Sequence, residues 1–282
     1  MANIAEKSDF QGPRQNVIDF LADFTAETTP FSAAKVDDFR EILRPGTTVF
    51  ITFLPGSDFE DTIAIATRLK KEGLNPVPHL AARSIPDAAF LDEGLRRLRG
   101  EADIDEVLTI AGAVDQPLGA FSDSMQVLET GLLDKHGIKK VGVAGHPEGS
   151  PDMPDEAIAA ALNWKNDFAN RSGADVYIVT QFCFEAEPII AWDKAIRAAG
   201  NALPIRIGVP GLATIKTLLN YAKACGIGNS MMFLKKQARN VAKLMNVSAP
   251  DKLLVDLANY KATDPDCGLI GCHMYPLGGV KR

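Results

Sequence analysis

Successive apolar runs in this chain end on side chains that can form hydrogen bonds, and this pattern constrains the fold more than any other feature. The run Val176–Thr180 is followed by Gln181, and the runs Phe50–Thr52, Val77–His79 and Val141–His146 end in the same way. Each run precedes a segment with helical periodicity. Polar side chains at the carboxyl ends of successive parallel strands are typical of the active site of a (β/α)8 barrel. The pattern therefore favours an enzyme.

Short apolar runs alternate with longer amphipathic segments, which predicts an α/β protein with eight strands. The predicted strands are Phe24–Glu27, Val49–Thr52, Pro76–His79, Glu106–Ile110, Lys140–Gly145, Val176–Gln181, Ile205–Gly208 and Leu269–Met274. The predicted helices are Val17–Leu21, Phe59–Lys71, Pro86–Leu98, Pro154–Asn170, Glu187–Ala199, Thr214–Cys225, Met231–Leu244 and Ala249–Tyr260. We expect the first of these to close the bottom of the barrel, and Ser84 to cap the helix that begins at Pro86.

The sequence contains no linker and no repeat that marks a second domain, so residues 1–282 are expected to form a single TIM-barrel catalytic domain. A doubly wound open sheet is the alternative architecture. That fold would carry a glycine-rich phosphate turn after an early strand, but Gly142 and Gly145 do not form a G-x-G-x-x-G motif. The barrel is therefore the favoured fold.

Composition narrows the class of partner. The 282 residues carry a formal net charge of -6, which argues against nucleic acid as a general partner. The cysteines Cys183, Cys225, Cys267 and Cys272 form no C-x-x-C pair, so we expect reduced thiols and no metal site. The polar start and the lack of a long apolar run predict a cytoplasmic protein without a signal peptide or membrane span.

Glu27 and His79 are candidate functional residues because each follows a predicted strand. A carboxylate inside the mouth of a barrel gains a raised pKa from partial burial and can then serve as a general acid, although Glu27 could equally be a helix N-cap or an acidic residue of a surface loop. A single histidine after a strand, such as His79, is more often a structural hydrogen-bonding group than a catalyst. Thr52 could equally be an ordinary strand residue.

Polar side chains also occur later in the chain. The turn His146–Pro151 contains prolines and a glycine, which suits either a fixed binding loop or a plain surface loop. Lys165 is expected to be a solvated charge unless a phosphate lies near it. Thr217 and Tyr221 share one helical face, which is more often core packing. A Ser/Asp pair within Leu118–Ser124 is expected to cap the helix that begins there.

Four motifs together resemble the methylenetetrahydrofolate reductase family. They are Ala26-Glu-Thr-Thr-Pro30, Pro78-His-Leu80, Val143-Ala-Gly-His-Pro-Glu148 and Val179-Thr-Gln-Phe-Cys-Phe184, and they cover roughly residues 20 to 280 in the family's order. The resemblance implies a (β/α)8 barrel that holds FAD at the carboxyl ends of its strands. It also implies hydride transfer from NADH or NADPH through FAD to 5,10-methylenetetrahydrofolate, giving 5-methyltetrahydrofolate.

The resemblance assigns a role to each candidate residue. Glu27 matches the general acid that protonates a folate nitrogen and opens the imidazolidine ring. The residues that match or lie near cofactor contacts are Thr52, His79, Gly112, His146, Asn163 and Lys165. Gln181 matches a residue that touches nicotinamide or folate, Tyr221 an aromatic that stacks on either, and Thr217 a polar folate contact. The expected partners are tetrahydrofolate derivatives and nicotinamide, and a homo-oligomeric state stays open.

Two departures from the family pattern affect the site. The family's Leu-Arg-Gly-Asp after the fourth strand is replaced by Ile110-Ala-Gly-Ala113, and Asp115 follows two residues later. Either Asp115 replaces the missing acid as a substrate contact, or that role is absent. The arginine expected after the last strand is also absent, and only Lys281 is nearby.

Three functional hypotheses follow. The first is a flavin-dependent methylenetetrahydrofolate reductase, whose physiological direction is open. The second is a folate-binding protein without redox activity, which the two missing residues would explain. The third is an unrelated barrel lyase acting on a phosphorylated substrate, which would require a Schiff-base lysine at a strand end, and no such lysine is found in the sequence.

Overall fold

The computed structural model describes residues 11–150, 153–224, 247–277 and 279. Eight parallel strands close into a barrel. They are β1 (Thr25–Thr28), β2 (Thr48–Ile51), β3 (Asn75–Ala81), β4 (Glu106–Ile110), β5 (Lys140–Gly145), β6 (Asp175–Phe182), β7 (Ile205–Pro210) and β10 (Leu269–Tyr275). Their order around the barrel is β1-β10-β7-β6-β5-β4-β3-β2. The predicted (β/α)8 TIM barrel is confirmed, and the open doubly wound sheet is wrong. A short antiparallel pair that we did not predict joins β8 (Ala213–Thr214) to β9 (Val247–Ser248).

The first α-helix precedes β1 and the others lie between strands, and most of them were predicted. They are Gln11–Leu21, Pro30–Ala33, Phe59–Lys71, Ala88–Ala102, Ser124–Glu129, Leu132–Lys135, Asp155–Ser172, Ala186–Ala198, Ile215–Ala224 and Asp251–Thr263. The predicted helix Met231–Leu244 lies outside the described residues. The Asp87 side chain, and not Ser84, caps the helix that begins at Ala88, because Ser84 belongs to a short 3-10 turn. The Asp123 side chain caps the helix that begins at Ser124, as predicted.

The chain divides into two compact units that are each discontinuous in sequence. One unit comprises Met1–Phe24, His146–Ala159 and Thr180–Gly278, and we call it the C-terminal unit. The other comprises Thr25–Gly145, Ala160–Val179 and Gly279–Arg282, and we call it the N-terminal unit. The single catalytic domain spanning residues 1–282 stays a prediction.

The N-terminal unit is built on a layer of apolar side chains that point to one side of the sheet. Phe50 is level with Val77 in the parallel register, and both pack with Leu108, Tyr177 and Val179. Tyr177 is buried, and its hydroxyl donates a hydrogen bond of 2.6 Å to Glu106, at the amino end of β4. The Lys140 ammonium lies 3.2 Å from the same carboxylate. Side chains alternate between the two sides of a strand. Thr52 and His79, two positions after Phe50 and Val77, are therefore on the same side of the sheet as the apolar layer.

The C-terminal unit is held together by a buried carboxylate. Asp193 is fully buried, and it accepts hydrogen bonds from the Tyr260 hydroxyl at 2.8 Å and from the Gly268 amide at 3.1 Å. The Arg197 guanidinium lies 3.2 Å from the other oxygen of Asp193, and it also donates to the Asn201 carbonyl at 2.8 Å. Burial raises the pKa of Tyr260, and its hydrogen bond to Asp193 adds to the effect. These bonds tie Ala186–Ala198 and Asp251–Thr263 to the segment that enters β10.

We predict that Asp193→Ala destabilises the protein by about 3–5 kcal/mol, because it leaves a charged partner and two buried donors without their acceptor. Urea unfolding measured by circular dichroism gives the change. The matched control is Glu101→Ala, since Glu101 pairs with Arg97 on an exposed helix surface, where only a small loss of stability is expected. Equal losses for the two variants would show that the Asp193 network is not important for stability.

Candidate active site at the carboxyl ends of the strands

The clearest polar cluster of the N-terminal unit lies at the ends of β1, β2 and β3. The Thr52 hydroxyl donates a short hydrogen bond to one carboxylate oxygen of Glu27. The His79 imidazole nitrogen Nε2 lies 3.8 Å from the other oxygen. The side chain of Glu27 is 14% exposed and that of His79 is 5% exposed, so the carboxylate remains in reach of a ligand while the imidazole is enclosed. Three of the predicted site residues are therefore brought together.

Local sequence fixes the chain immediately after Glu27. The Thr29 hydroxyl accepts a hydrogen bond of 3.0 Å from the Ser32 amide, and the Ser32 hydroxyl accepts one of 2.8 Å from the Thr29 amide. This reciprocal pair is a capping box, and Pro30 occupies the first helical position that follows it. The cap of this short helix is therefore Thr29, and the reading of Glu27 as a helix cap is wrong. The same bonds hold the end of β1 in a single direction.

The loop after β4 is held in place by Arg83, a residue that the sequence analysis did not identify. The Arg83 amide donates to the Ala111 carbonyl at 2.9 Å, and the Leu118 amide donates to the Arg83 carbonyl at 2.8 Å. The guanidinium of Arg83 also donates to the Ser122 carbonyl at 2.9 Å. A single arginine after a strand gives no sequence signal for such a role, because its partners are backbone carbonyls.

Gly112 and Asp115 lie in this loop. Gly112 has a φ of +92°, a conformation that favours glycine, and a Cβ atom there would lie 3.2 Å from the Ala81 Cβ. The loop therefore packs directly on the end of β3. Asp115 is exposed, so nothing in the fold of the loop fixes its carboxylate. Its role as a replacement for the missing acid stays a prediction.

Lys165 lies on the buried face of the helix Asp155–Ser172 and is 6% exposed, so the expectation of a solvated charge is wrong. Its ammonium donates to the Ala144 carbonyl at 3.3 Å, and no carboxylate of the described residues lies within 4 Å of it. Burial lowers the pKa of Lys165 to about 8, and the charge of Asp123 opposes this effect. A buried ammonium without an ion pair is suited to binding an anion.

Asn163 is exposed on the other side of the same helix, and the structure does not bring it beside Lys165. Asn163 and Lys165 are two positions apart, so their side chains are rotated from each other by about 200° around the helix axis. Asn166 directly follows Lys165 and is rotated from it by only about 100°. Asn166 is half-buried and takes part in polar interactions. Sequence periodicity alone could have pointed to Asn166 in place of Asn163.

In the C-terminal unit, a chain of hydrogen bonds fixes the end of β6, where Gln181 is half-buried. The Thr180 hydroxyl donates to the Gln181 carbonyl at 2.8 Å and accepts from the Gly208 amide at 2.9 Å. The Tyr275 hydroxyl donates to the Thr180 carbonyl at 2.9 Å, and its ring packs edge-on against Phe182. No sequence pattern singles out Tyr275, because its partner is a backbone carbonyl far away in the chain.

The turn that begins at His146 belongs to the C-terminal unit. The Gly149 amide donates to the His146 carbonyl at 3.1 Å, which gives the turn a defined conformation. The thiol of Cys183, which is 1% exposed, donates a hydrogen bond of 3.5 Å to the Gln181 carbonyl. Burial raises the pKa of Cys183 well above its ordinary value, and the charge of Glu148 adds to this. Cys183 is therefore a packed thiol and not a reactive one.

Thr217 and Tyr221 lie on the helix Ile215–Ala224 of the C-terminal unit. The Thr217 hydroxyl lies 2.9 Å from the Thr214 hydroxyl, and the Thr217 amide donates to the Thr214 hydroxyl at 3.2 Å. Thr217 is therefore part of the helix start, although it is half-buried. The side chain of Tyr221, and also Cys225 and Lys281, lie outside the described residues.

Two features are absent from the part of the chain that the structure describes. No group of three His, Cys, Asp or Glu side chains there is arranged to hold a metal ion. No helix in that part is long and apolar enough to cross a membrane.

We predict that Gly208→Ala destabilises the protein by about 1–3 kcal/mol, because the new Cβ would lie 2.5 Å from the Gln181 carbonyl oxygen. Gly100→Ala is the matched control, since Gly100 lies in the helix Ala88–Ala102 with no atom within 4 Å of the added Cβ. That substitution should instead stabilise the protein by about 0.5–1 kcal/mol. Denaturant midpoints distinguish the two, and a stable Gly208→Ala protein would contradict the close approach.

We also predict a pH-dependent contribution from Lys165. The folded-state pKa of about 8 lies below the unfolded value of 10.5, so the unfolded chain binds this proton more tightly. The free energy of unfolding of the parent protein, relative to that of Lys165→Met, should therefore rise by at most about 3 kcal/mol as the pH increases from 8 to 10.5. The same difference should be lost when the pH is lowered again. Urea unfolding in ligand-free buffer at pH 7.5 and 10 measures it, with exposed Lys71→Met as the control. A difference that does not change with pH would contradict it.

Comparisons with known proteins agree with the fold and the motifs. The family model for methylenetetrahydrofolate reductase matches residues 36–275. Methylenetetrahydrofolate reductase 2 of Saccharomyces cerevisiae is 25% identical over 172 residues, 57% of this chain and 28% of that protein. Methylenetetrahydrofolate reductase 1 of Schizosaccharomyces pombe is 36% identical over 107 residues, 38% of this chain and 16% of that protein. The matched regions thus span less than a third of either relative.

One solved structure has a similar fold. It is a protein from Clostridium thermocellum that binds two copies of 5-methyl-5,6,7,8-tetrahydrofolic acid, and it is 12% identical with a TM-score of 0.55. The match covers 93% of this chain and 92% of that one. At this identity the likeness concerns the fold alone. The family model, in contrast, covers most of the sequence, and the chain belongs to the methylenetetrahydrofolate reductase family.

Proposed function

We propose that this protein is an FAD-dependent methylenetetrahydrofolate reductase, which interconverts 5,10-methylenetetrahydrofolate and 5-methyltetrahydrofolate with NADH or NADPH as co-substrate. The observation that carries the proposal is the carboxylate of Glu27, which is held by the Thr52 hydroxyl with His79 beside it at the ends of three adjacent strands. A partly enclosed carboxyl group in a fixed position is what general acid catalysis requires. Membership of the family supplies the reaction class.

The product of the reaction shows where the proton is needed. The methyl group of 5-methyltetrahydrofolate is on N5, so the carbon–nitrogen bond that breaks in the five-membered ring is the bond to N10. Glu27 would deliver a proton to N10 as this bond breaks, and would take it back in the reverse direction. The Thr52 hydroxyl keeps the Glu27 carboxylate in one orientation, which lowers the entropic cost of reaching N10.

The residues of the N-terminal unit suit a flavin nucleotide. Lys165 offers a buried ammonium with no carboxylate of the described residues within 4 Å, which fits a phosphate group. Thr52, His79 and Gly112 would contact the same cofactor. The flavin supplies hydride transfer when it is bound. Asn163 is proposed as a cofactor contact only if the cofactor also reaches the exposed face of the helix Asp155–Ser172.

The substrate contacts proposed from the family pattern lie partly in the C-terminal unit. Gln181 carries an amide that can both donate to and accept from a pterin edge, and Thr180 holds its backbone in place. Thr217 and Tyr221 are proposed as polar and stacking contacts, and His146 as a cofactor contact on its turn. Asp115 is the proposed substitute for the acid that Ala113 replaces.

A folate-binding protein without redox activity is the second candidate. Ala113 stands in place of the family's acid, and Asp115 is exposed. The similar protein from Clostridium thermocellum is described only as binding 5-methyl-5,6,7,8-tetrahydrofolic acid. Uptake of flavin, seen in the visible spectrum of the purified protein, separates the two candidates. The lyase hypothesis loses support, because the only lysine in the eight barrel strands is Lys140, at the amino end of β5.

We predict that Glu27→Gln keeps FAD bound but slows folate turnover about 10²- to 10⁴-fold, because the amide cannot donate a proton as an acid. Reduction of the bound flavin by NADH or NADPH should continue, since that half of the reaction needs no acid. Stopped-flow absorbance under anaerobic conditions measures the two half-reactions separately.

Glu106→Gln is the matched control for this experiment. Glu106 is a carboxylate of the same unit, but it lies at the amino end of β4, bonded to Tyr177. Its replacement should lower stability and leave the folate half-reaction unchanged. If Glu27→Gln reduces folate at the parental rate, Glu27 is not the acid. If the parent protein itself takes up no flavin, the redox proposal is overturned.

A further inference from the structure

We propose that Phe31 and Lys35 form a subsite for the aminobenzoyl-glutamate part of the folate, with Phe31 contacting the aromatic ring and Lys35 a glutamate carboxylate. We call this pair the rim subsite. The inference rests on the proposed function, because it assumes that folate is the substrate. It goes further in assigning a binding role to two residues that lie outside the acid and cofactor contacts.

The two side chains form a unit on the surface. Phe31 is 72% exposed, although it is a large aromatic residue. The Lys35 ammonium lies 3.8 Å from the centre of the Phe31 ring. No carboxylate of the described residues lies within 4 Å of this ammonium, even though Asp37 and Asp38 follow it in the sequence, and Asp38 instead pairs with Arg40. An aromatic face and an available cation are therefore presented side by side.

The position of this pair is fixed relative to Glu27. The hydrogen bonds between Thr29 and Ser32 lock the helix Pro30–Ala33, and Ala33 is buried at its end. Phe31 is four residues after Glu27, so the two Cα atoms are separated by at most about 14 Å. Because the helix is compact and not extended, Phe31 stays close to the end of β1. Phe31 therefore lies on the short helix that directly follows the strand carrying the proposed acid.

The chemistry of the substrate requires an aromatic ring in this region. Glu27 is proposed to protonate N10, and the aminobenzoyl ring is covalently attached to N10. Any folate whose N10 is in reach of Glu27 therefore places this ring one bond further away, with the glutamate carboxylates beyond it. An exposed aromatic side chain followed by a cation matches that order of groups.

The alternative is that Phe31 and Lys35 are an ordinary surface contact. Single exposed apolar side chains are common, and a cation over an exposed ring is held only weakly. The same weakness means that Lys35 can leave the Phe31 ring for a carboxylate at little cost. The two interpretations differ in what they predict for ligands that lack the aminobenzoyl-glutamate part.

The test compares dissociation constants for three ligands, 5-methyltetrahydrofolate with one glutamate, the same folate with three glutamates, and 6-methyltetrahydropterin, which lacks the aminobenzoyl-glutamate part. Phe31→Ala should weaken both folates about three- to tenfold. Lys35→Glu should weaken the triglutamate about two- to tenfold, with a smaller effect on the monoglutamate, and the effect should fall at high salt. Neither variant should change binding of the tetrahydropterin.

Two controls carry matched changes elsewhere. Lys71→Glu makes the same charge change at an exposed lysine in the last turn of the helix Phe59–Lys71, and Phe90→Ala removes another exposed phenylalanine. Neither should alter folate affinity. If the parent binds and turns over folate but Phe31→Ala and Lys35→Glu leave all three dissociation constants unchanged, the rim subsite is wrong and the proposed function stands. If the parent binds no folate, both are wrong.

Discussion

The hydrogen bond from Thr52 to Glu27 depends on the parallel register of the first three strands. Glu27 is level with Phe50 on β2, and Phe50 is level with Val77 on β3. Phe50 and Val77 pack in the apolar layer, so the residues two positions later, Thr52 and His79, point to the same side and stand above it. A slip of one residue in either pairing would turn the polar side chains away from each other.

Much of this arrangement could be predicted from the sequence, because apolar runs mark the strands and polar residues mark their ends. The predicted bounds of β4 and β5 agree with the structure, and the other barrel strands differ by one or two residues at an end. The bond between Thr52 and Glu27 could not be predicted, because it depends on the register of strands 25 residues apart. Periodicity could have distinguished Asn163 from Asn166, since the buried face of that helix includes Lys165.

Contacts made to backbone carbonyls are the ones that the sequence could not indicate. The side chain of Arg83 holds the loop after β4 by donating to a backbone carbonyl. At the end of β6, the Tyr275 hydroxyl donates to a backbone carbonyl and the Thr180 hydroxyl accepts from a backbone amide. Any residue type offers these groups, so no pattern of side chains reveals the partners. The loop after β4 is also where the chain departs from its family, since it has Ala113 in place of an acid. Arg83 therefore fixes the backbone of this loop, but it does not fix the side chain of Asp115.

The two charged groups proposed for function are accommodated in different ways. Glu27 is partly enclosed, and a hydroxyl group compensates for the loss of water around its carboxylate. Lys165 is more deeply buried and has only one weak carbonyl contact among the described residues, so its ammonium form is destabilised and its pKa falls to about 8. A protein gains nothing in stability from such a lysine. Its position is understandable if an anionic ligand provides the missing compensation, because binding then recovers part of the desolvation cost and raises the pKa again.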